Sequence, residues 1–234
     1  MTQTGVHPSV RAAVPDVGQP SPPARRLADA LDDLHHRVSP AGMVPSPTGH
    51  VLASTVALPG APSGPLTRFG LAVLPAATGD TNPAADRPAT DRPWDGRSSD
   101  LPAVAVPAAV AEAFARGLLD LHRLLLHEVL RHTLGHLGAR TSDGATLLAR
   151  QLVQAQLAEV AIRLAEVEAT PETRRDEDAA GRWRTHRRLV GIGRDLLRLL
   201  GASGFLVDGP AGDLHLAEVV GNVYLHPGRG QGDG

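Results

Sequence analysis

Cysteine is absent from the 234 residues. That excludes disulfides, thiolate zinc sites and a cysteine nucleophile together. Lysine is absent as well, since all 23 basic residues are arginines; Schiff-base chemistry and lysine-dependent phosphate loops are therefore excluded. Aromatic residues make up 3%, too few for base-stacking platforms or aromatic cages. No sign of charge dominates: the net charge of −2 draws the chain neither to nucleic acid nor to anionic lipid. Long apolar runs are also missing. The richest stretch, Leu118 to Leu137, is broken by Asp120, His122, Arg123, Glu128 and Arg131, and a membrane span needs about 20 apolar residues. Met1 to Gln19 holds Pro8 and Pro15 and no apolar run of the secretory kind. The expectation is a cytoplasmic protein with no nucleic-acid or membrane partner.

What is abundant is unevenly placed. Apolar residues reach 42%, enough for a sizeable core, beside 25 glycines and 20 prolines. Residues 1–24 are rich in Pro, Ser and Gly and read as disordered. In 25–106 the spacing predicts a short helix over Arg25 to Val38, on Leu27, Leu31 and Leu34. A small β-rich region follows, with strands at His50 to Leu58, Phe69 to Leu74 and Val104 to Val106. Ala76 to Arg97 is a long polar loop.

From Pro107, a good first helical residue, the pattern turns helical through residue 228. Val110, Phe114, Leu118, Leu121 and Leu125 open a long first helix that Gly138 is expected to stop. Ser142 or Asp143 is read as the cap of a second helix carrying Leu147, Leu148, Leu157 and Leu164. A third runs from about Ala180 to Leu200, ended by Gly201, and a fourth from about Gly212 to Leu225. Residues 229–234 are a tail. Long helices on short connections predict a mainly α chain, an antiparallel bundle preceded by a β-rich remnant.

Within this frame one run is specific. Arg140-Thr-Ser-Asp143-Gly144-Ala-Thr146-Leu147 continues to Arg150-Gln151-Leu-Val153-Gln154 and Leu157-Ala158-Glu159. It resembles the acyl-CoA dehydrogenase pattern R-x-x-F-G-x-P-[IL]-x-x-F-Q-x-[VI]-Q-x-x-L-A-[DE]. Asp143 and Arg150 stand at its two phenylalanines, and Thr146 at its proline. Leu199-Leu200-Gly201-Ala202-Ser203-Gly204-Phe205 is similar to the family's glycine turn Q-I-[LF]-G-G-x-G-[YF]. Phe69 to Pro75, and Trp94 to Asp100 with Val104 to Pro107, resemble the end of its β domain and the entry to its C-terminal helices. The resemblance spans about Arg68 to Gly228.

The resemblance implies the family's C-terminal helical bundle and a flavin-dependent oxidation of the CH–CH group of an acyl thioester. It implies FAD bound with help from a neighbouring subunit, with Arg140, Gln151, Gly201 and Gly204 as the cofactor-binding residues. An arginine fork suits pyrophosphate, and glycine admits a phosphate to the backbone. The family's usual glutamate base falls at Leu225 or Pro227, neither a carboxylate; His226 is the remaining titratable candidate for a catalytic role. The family's N-terminal domain has no counterpart of adequate length. A partner, either a second copy or a full-length acyl-CoA dehydrogenase, is therefore expected to complete any activity. The alternative is a non-catalytic pseudo-enzyme serving as an oligomerisation or regulatory subunit.

Other signals have plain explanations. Glu128, His132 and His136 recur every four residues, a spacing that can hold a metal, but a polar bundle stripe has the same form, and no metal is assigned. Leu189-Val-Gly191-Ile-Gly193 lacks the third glycine of a dinucleotide turn. The arginines at 182, 184, 187 and 188 follow a matching acidic run at 172–178, as a solvated face does. Ser98-Ser99 has no paired base.

Overall fold

A computed structural model describes residues 22–40, 42–74, 106–169, 178–206 and 209–227. The expected N-terminal disorder through residue 21, the polar loop 76–97, Val104 and Ala105 of the third strand, Ser98-Ser99 and the tail lie outside these residues. Among these residues are five helices: α1 (Pro22–Val38), α2 (Ala108–Ala139), α3 (Gln151–Glu168), α4 (Ala179–Leu200) and α5 (Ala211–Leu225). Two small antiparallel hairpins accompany them, β1 (Val51–Ser54) with β2 (Leu71–Leu74) and β3 (Thr141–Ser142) with β4 (Ala145–Thr146). The chain is thus mainly helical, as its periodicity predicts.

The helices alternate in direction. Leu34 of α1 packs on Gly117 of α2, where a Cβ would stand 2.3 Å from the Leu34 Cδ1. His127 of α2 meets Glu168 of α3 at 2.6 Å, and Arg163 of α3 meets Asp195 of α4 at 2.5 Å. Arg194 of α4 meets Glu218 of α5 at 2.6 Å. Helices α2 and α4 run parallel, since His122 faces His186 and His136 reaches Ser203 just past α4. Between them lies one core that includes Phe114, Leu119, Leu126, Leu164, Leu189, Ile192, Leu196 and Leu216. Each such side chain contributes roughly 1.5–3 kcal/mol by leaving water.

The first hairpin is joined to that core by polar side chains. Val44 N–H donates to His35 Nδ1 at 3.0 Å, and His35 Nε2 donates to Leu52 O at 2.9 Å. The Tyr224 hydroxyl takes the Leu52 N–H at 3.0 Å and donates to Val44 O at 3.1 Å. One histidine from α1 and one tyrosine from α5 therefore satisfy the same two backbone segments. Burial keeps His35 below the usual imidazole range and pushes the Tyr224 phenol up.

Several boundaries differ from expectation, each for a local reason. The first helix starts at Pro22 rather than Arg25. The strand expected over His50 to Leu58 ends at Ser54, whose hydroxyl takes the Val56 and Ala57 N–H groups and turns the chain. The second strand begins at Leu71, after a 3₁₀ turn over Thr67–Phe69 and Gly70 at φ +78°. Val106 lies in no strand. Helix α2 runs past Gly138 to Ala139. Ser142 and Asp143 do not cap α3. Asp143-Gly144, both at positive φ, form the two-residue turn of the second hairpin, for which Asp-Gly is a strong signal. Leu147 and Leu148 then sit in a 3₁₀ turn, and α3 begins at Gln151. Helix α4 is capped by Asp178, whose carboxylate accepts the Gly181 N–H at 2.6 Å.

Candidate functional site: one end of the bundle and the cleft beside it

Alternating directions bring the C-terminus of α2, the N-terminus of α3 and the C-terminus of α4 to one end. Three of the four expected cofactor residues sit at these termini, and the fourth, Gly204, lies in the turn just beyond α4. Arg140 is the residue after α2, Gln151 the first of α3, Gly201 the C-cap of α4. The hairpin Thr141–Thr146 closes the gap between the first two, because Leu147 N–H bonds back to Arg140 O at 2.8 Å. His136 links them to the glycine turn: its Nε2 lies 2.9 Å from Ser203 Oγ and 3.4 Å from an Arg140 guanidinium nitrogen. Arg140 and Gln151 are both exposed.

The two glycines serve different ends. Gly201 has φ +58° and open space where a side chain would stand, so its backbone is accessible. Gly204 is buried by its own turn; a Cβ there would meet Leu200 at 3.1 Å and Leu197 at 3.2 Å. Gly209 leans on it so closely that a Cβ at 209 would come within 2.5 Å of the Gly204 carbonyl oxygen. Asp143 and Arg150, 3.1 Å apart, form an ion pair, and Arg150 also donates to Ser142 O at 2.7 Å. The carboxylate beside Arg140 is thereby balanced.

His226 lies elsewhere. It follows α5 and stands edge-on to Trp183, with ring centroids 4.9 Å apart, near the start of α4. Gly201 is eighteen residue steps beyond Trp183 along α4, about 27 Å at 1.5 Å per residue. His226 is thus not brought to the end where Arg140, Gln151 and the glycine turn meet. Nor are Glu128, His132 and His136 gathered: no group of three potential metal ligands exists among the described residues. Gly191 and Gly193 are interior to α4, and Gly193 admits Leu126 and Leu214 to close contact.

Gly201 also edges a cleft of about 960 Å³ between α4, the turn Gly201–Phe205, the start of α5 and Arg68-Phe69. Its walls are chiefly apolar, with Phe69, Val190, Leu197, Phe205, Leu206 and Leu214. Three arginines stand around it. Arg194 is paired with Glu218 and Arg198 with Asp195. Arg68 lies over the Phe69 ring at 4.6 Å and has no carboxylate partner among the described residues. Buried Asp213 and His215 also line it.

His122 reaches this cleft from α2. It is 4% exposed, and its Nδ1 has no hydrogen-bond partner among the described residues. Burial, and secondarily the neighbouring His186 at 5.6 Å between centroids, lower its pKa to about 3. It is a neutral imidazole throughout the physiological range. It also borders a void of about 20 Å³ shared with His186 and Gly221. His186 is buried, 3.3 Å from Asn222 Oδ1, and burial lowers its pKa. Gly221 is obligatory against it, as a Cβ would lie 2.1 Å from the His186 Cε1.

Sequence reasoning did not find His122, Arg68, Asp213 or Glu218 as a group. A signal for His122 exists: Leu118 and Leu126, four residues to either side, are both buried, so His122 occupies the core face of its helix. Arg68 comes from a distant loop and carries no such signal.

Comparison of the chain with known protein families, with characterised proteins and with solved structures returns no match. The class that the fold itself defines is a five-helix bundle with a strand hairpin docked on it and an arginine-edged apolar cleft.

Proposed function

We propose that the chain is an acyl-CoA dehydrogenase-like helical domain that contributes to an FAD site completed by a partner subunit. The observation that carries this reading is the placement of Arg140, Gln151 and Gly201, at the ends of three different helices, on one end of the bundle. An exposed guanidinium, an exposed carboxamide and an open glycine backbone suit a phosphate-bearing ligand presented by a neighbour. The Asp143–Arg150 pair supports it further. The two departures from the family's phenylalanine positions compensate each other, so the carboxylate does not repel a pyrophosphate unopposed.

Such a cofactor supplies two-electron oxidation of a CH–CH bond. In this chain Arg140 would hold the pyrophosphate, Gln151 would donate to a polar edge of the cofactor, and the Gly201 turn would let the nucleotide approach. Leu225 and Pro227, where the family has its base, are not carboxylates, and the carboxylates toward this end are held by arginines, Asp143 by Arg150 and Asp195 by Arg163 and Arg198. His226 is at the other end. The base and the remaining walls belong to the partner, a second copy or a full-length relative, and the acyl thioester is that complex's substrate. Purified chain titrated with FAD, followed by flavin fluorescence polarisation, tests the binding. Saturable binding weakened about tenfold by Arg140→Gln, the loss of roughly one charge-assisted contact, is expected.

The second reading, a non-catalytic oligomerisation or regulatory subunit, is favoured by a specific observation: Leu225 and Pro227 bring no carboxylate to the end of α5. Self-association by sedimentation, with no flavin binding at any concentration tested, would select it.

A further inference from the structure

The cleft beside the glycine turn has a composition that a phosphate-bearing nucleotide does not explain. Its walls are chiefly apolar, two of its three arginines already have carboxylate partners (Arg194 with Glu218, Arg198 with the Asp195 it shares with Arg163), and a buried histidine is part of its lining. A ligand matching this pattern has one anionic group at the mouth, an apolar body, and an uncharged hydrogen-bonding group at its buried end. Arg68 is the cation without a carboxylate partner, and it is exposed at the rim. Phe205 and Leu206 flank the same mouth and are 68% and 65% exposed, a large apolar surface to leave in water. Away from solvent, the His122 Nδ1, buried and without a hydrogen-bond partner among the described residues, is a hydrogen-bonding atom whose burial costs about 1–3 kcal/mol until it is matched. A volume of about 960 Å³ is at the upper end of the range of small-molecule sites.

We propose that this cleft binds an amphiphilic carboxylate carrying a hydroxyl or carbonyl at its far end, with the carboxylate on Arg68 and the neutral polar group on His122. A cationic head is disfavoured by the arginines. A dianionic head such as a phosphate monoester would also face the Glu218 carboxylate in the same lining. A fully apolar ligand leaves both Arg68 and His122 unmatched. This site touches the FAD reading only at Gly201, since neither Arg140 nor Gln151 lines it.

The test uses the full chain without flavin and three probes: 12-hydroxydodecanoate, dodecanoate and 1,12-dodecanediol, measured by calorimetry. The hydroxy acid should bind at least tenfold more tightly than either of the others. Arg68→Gln should reduce the hydroxy acid to the affinity of the diol and leave the diol unchanged. His122→Phe, which keeps the ring volume, should erase the preference for the hydroxy acid over dodecanoate. Ala211→Trp, which narrows the cleft at the start of α5, should weaken all three, and circular dichroism checks that each variant folds. Equal affinities for the three probes, or affinities that Arg68→Gln and Ala211→Trp leave unchanged, would mean non-specific adsorption and overturn the proposal. Retained hydroxyl preference in His122→Phe would assign Nδ1 to the adjoining void instead and overturn the inner contact. Flavin binding measured separately distinguishes failure here from failure of the FAD reading.

Discussion

Tyr224 makes two hydrogen bonds with one oxygen, and both partners are backbone groups of the docked hairpin region. Removing that oxygen in Tyr224→Phe leaves a buried N–H and a carbonyl short of partners. The expected cost is about 1–3 kcal/mol, measurable as a shift of the urea midpoint with unchanged slope. Gly221 is a second single-residue constraint. Gly221→Ala should destabilise because its methyl overlaps the His186 ring, and His186→Ala should relieve that overlap. A double-mutant cycle therefore predicts strong non-additivity. Additive effects would mean that the ring and the glycine are not in contact.

At the scale of elements, α4 depends on its cap. Asp178→Ala should cost about 1 kcal/mol, read from thermal unfolding, with Asp178→Asn retaining most of the stability. The same element shows how far the sequence was legible. The four later helices follow from 3.6-residue periodicity, because their buried faces are dense in Leu and Val, and their ends are within a few residues of expectation except at the start of α3, which falls at Gln151 instead of just after Ser142 or Asp143. The second hairpin is not legible in the spacing of the sequence. Ser142-Asp143 carries cap chemistry and turn chemistry at once, and Gly144 decides for the turn by taking a positive φ. The alternation of Val56 and Leu58 predicts a longer strand at His50, whereas the Ser54 hydroxyl turns the backbone before Val56, which is left 84% exposed. Arg140, Gln151 and Gly201 are singled out in the sequence by a resemblance; that they stand at one end of the bundle follows from the alternating helix directions. The cleft has no sequence signal, since Arg68 and His122 are brought to α4 only by the docking of the hairpin region and by the packing of α2. Such juxtapositions have no spacing along the chain.

For the whole molecule, three buried imidazoles set the pH response. Burial lowers the pKa of His35, His122 and His186 in the folded state. The unfolded chain takes up protons near the usual value of about 6.5, while the folded chain resists. Stability from these groups is therefore complete above about pH 6.5 and declines as the pH falls from there toward the folded values. For His122, whose folded value is about 3, each pH unit of the decline is worth up to about 1.4 kcal/mol. Thermal midpoints measured between pH 8 and pH 4 should be flat above neutrality and fall increasingly below it. His122→Phe should flatten the acid limb; an unaltered limb would contradict the burial of that histidine.

The central claim concerns one end of the bundle, and amide hydrogen exchange with and without FAD addresses it most directly. On addition of FAD the account predicts slowed exchange in the segments 140–151 and 201–204, with the amides around Trp183 and His226 unaffected. Slowing confined to the Trp183 and His226 end, or no slowing anywhere at saturating FAD, would contradict it.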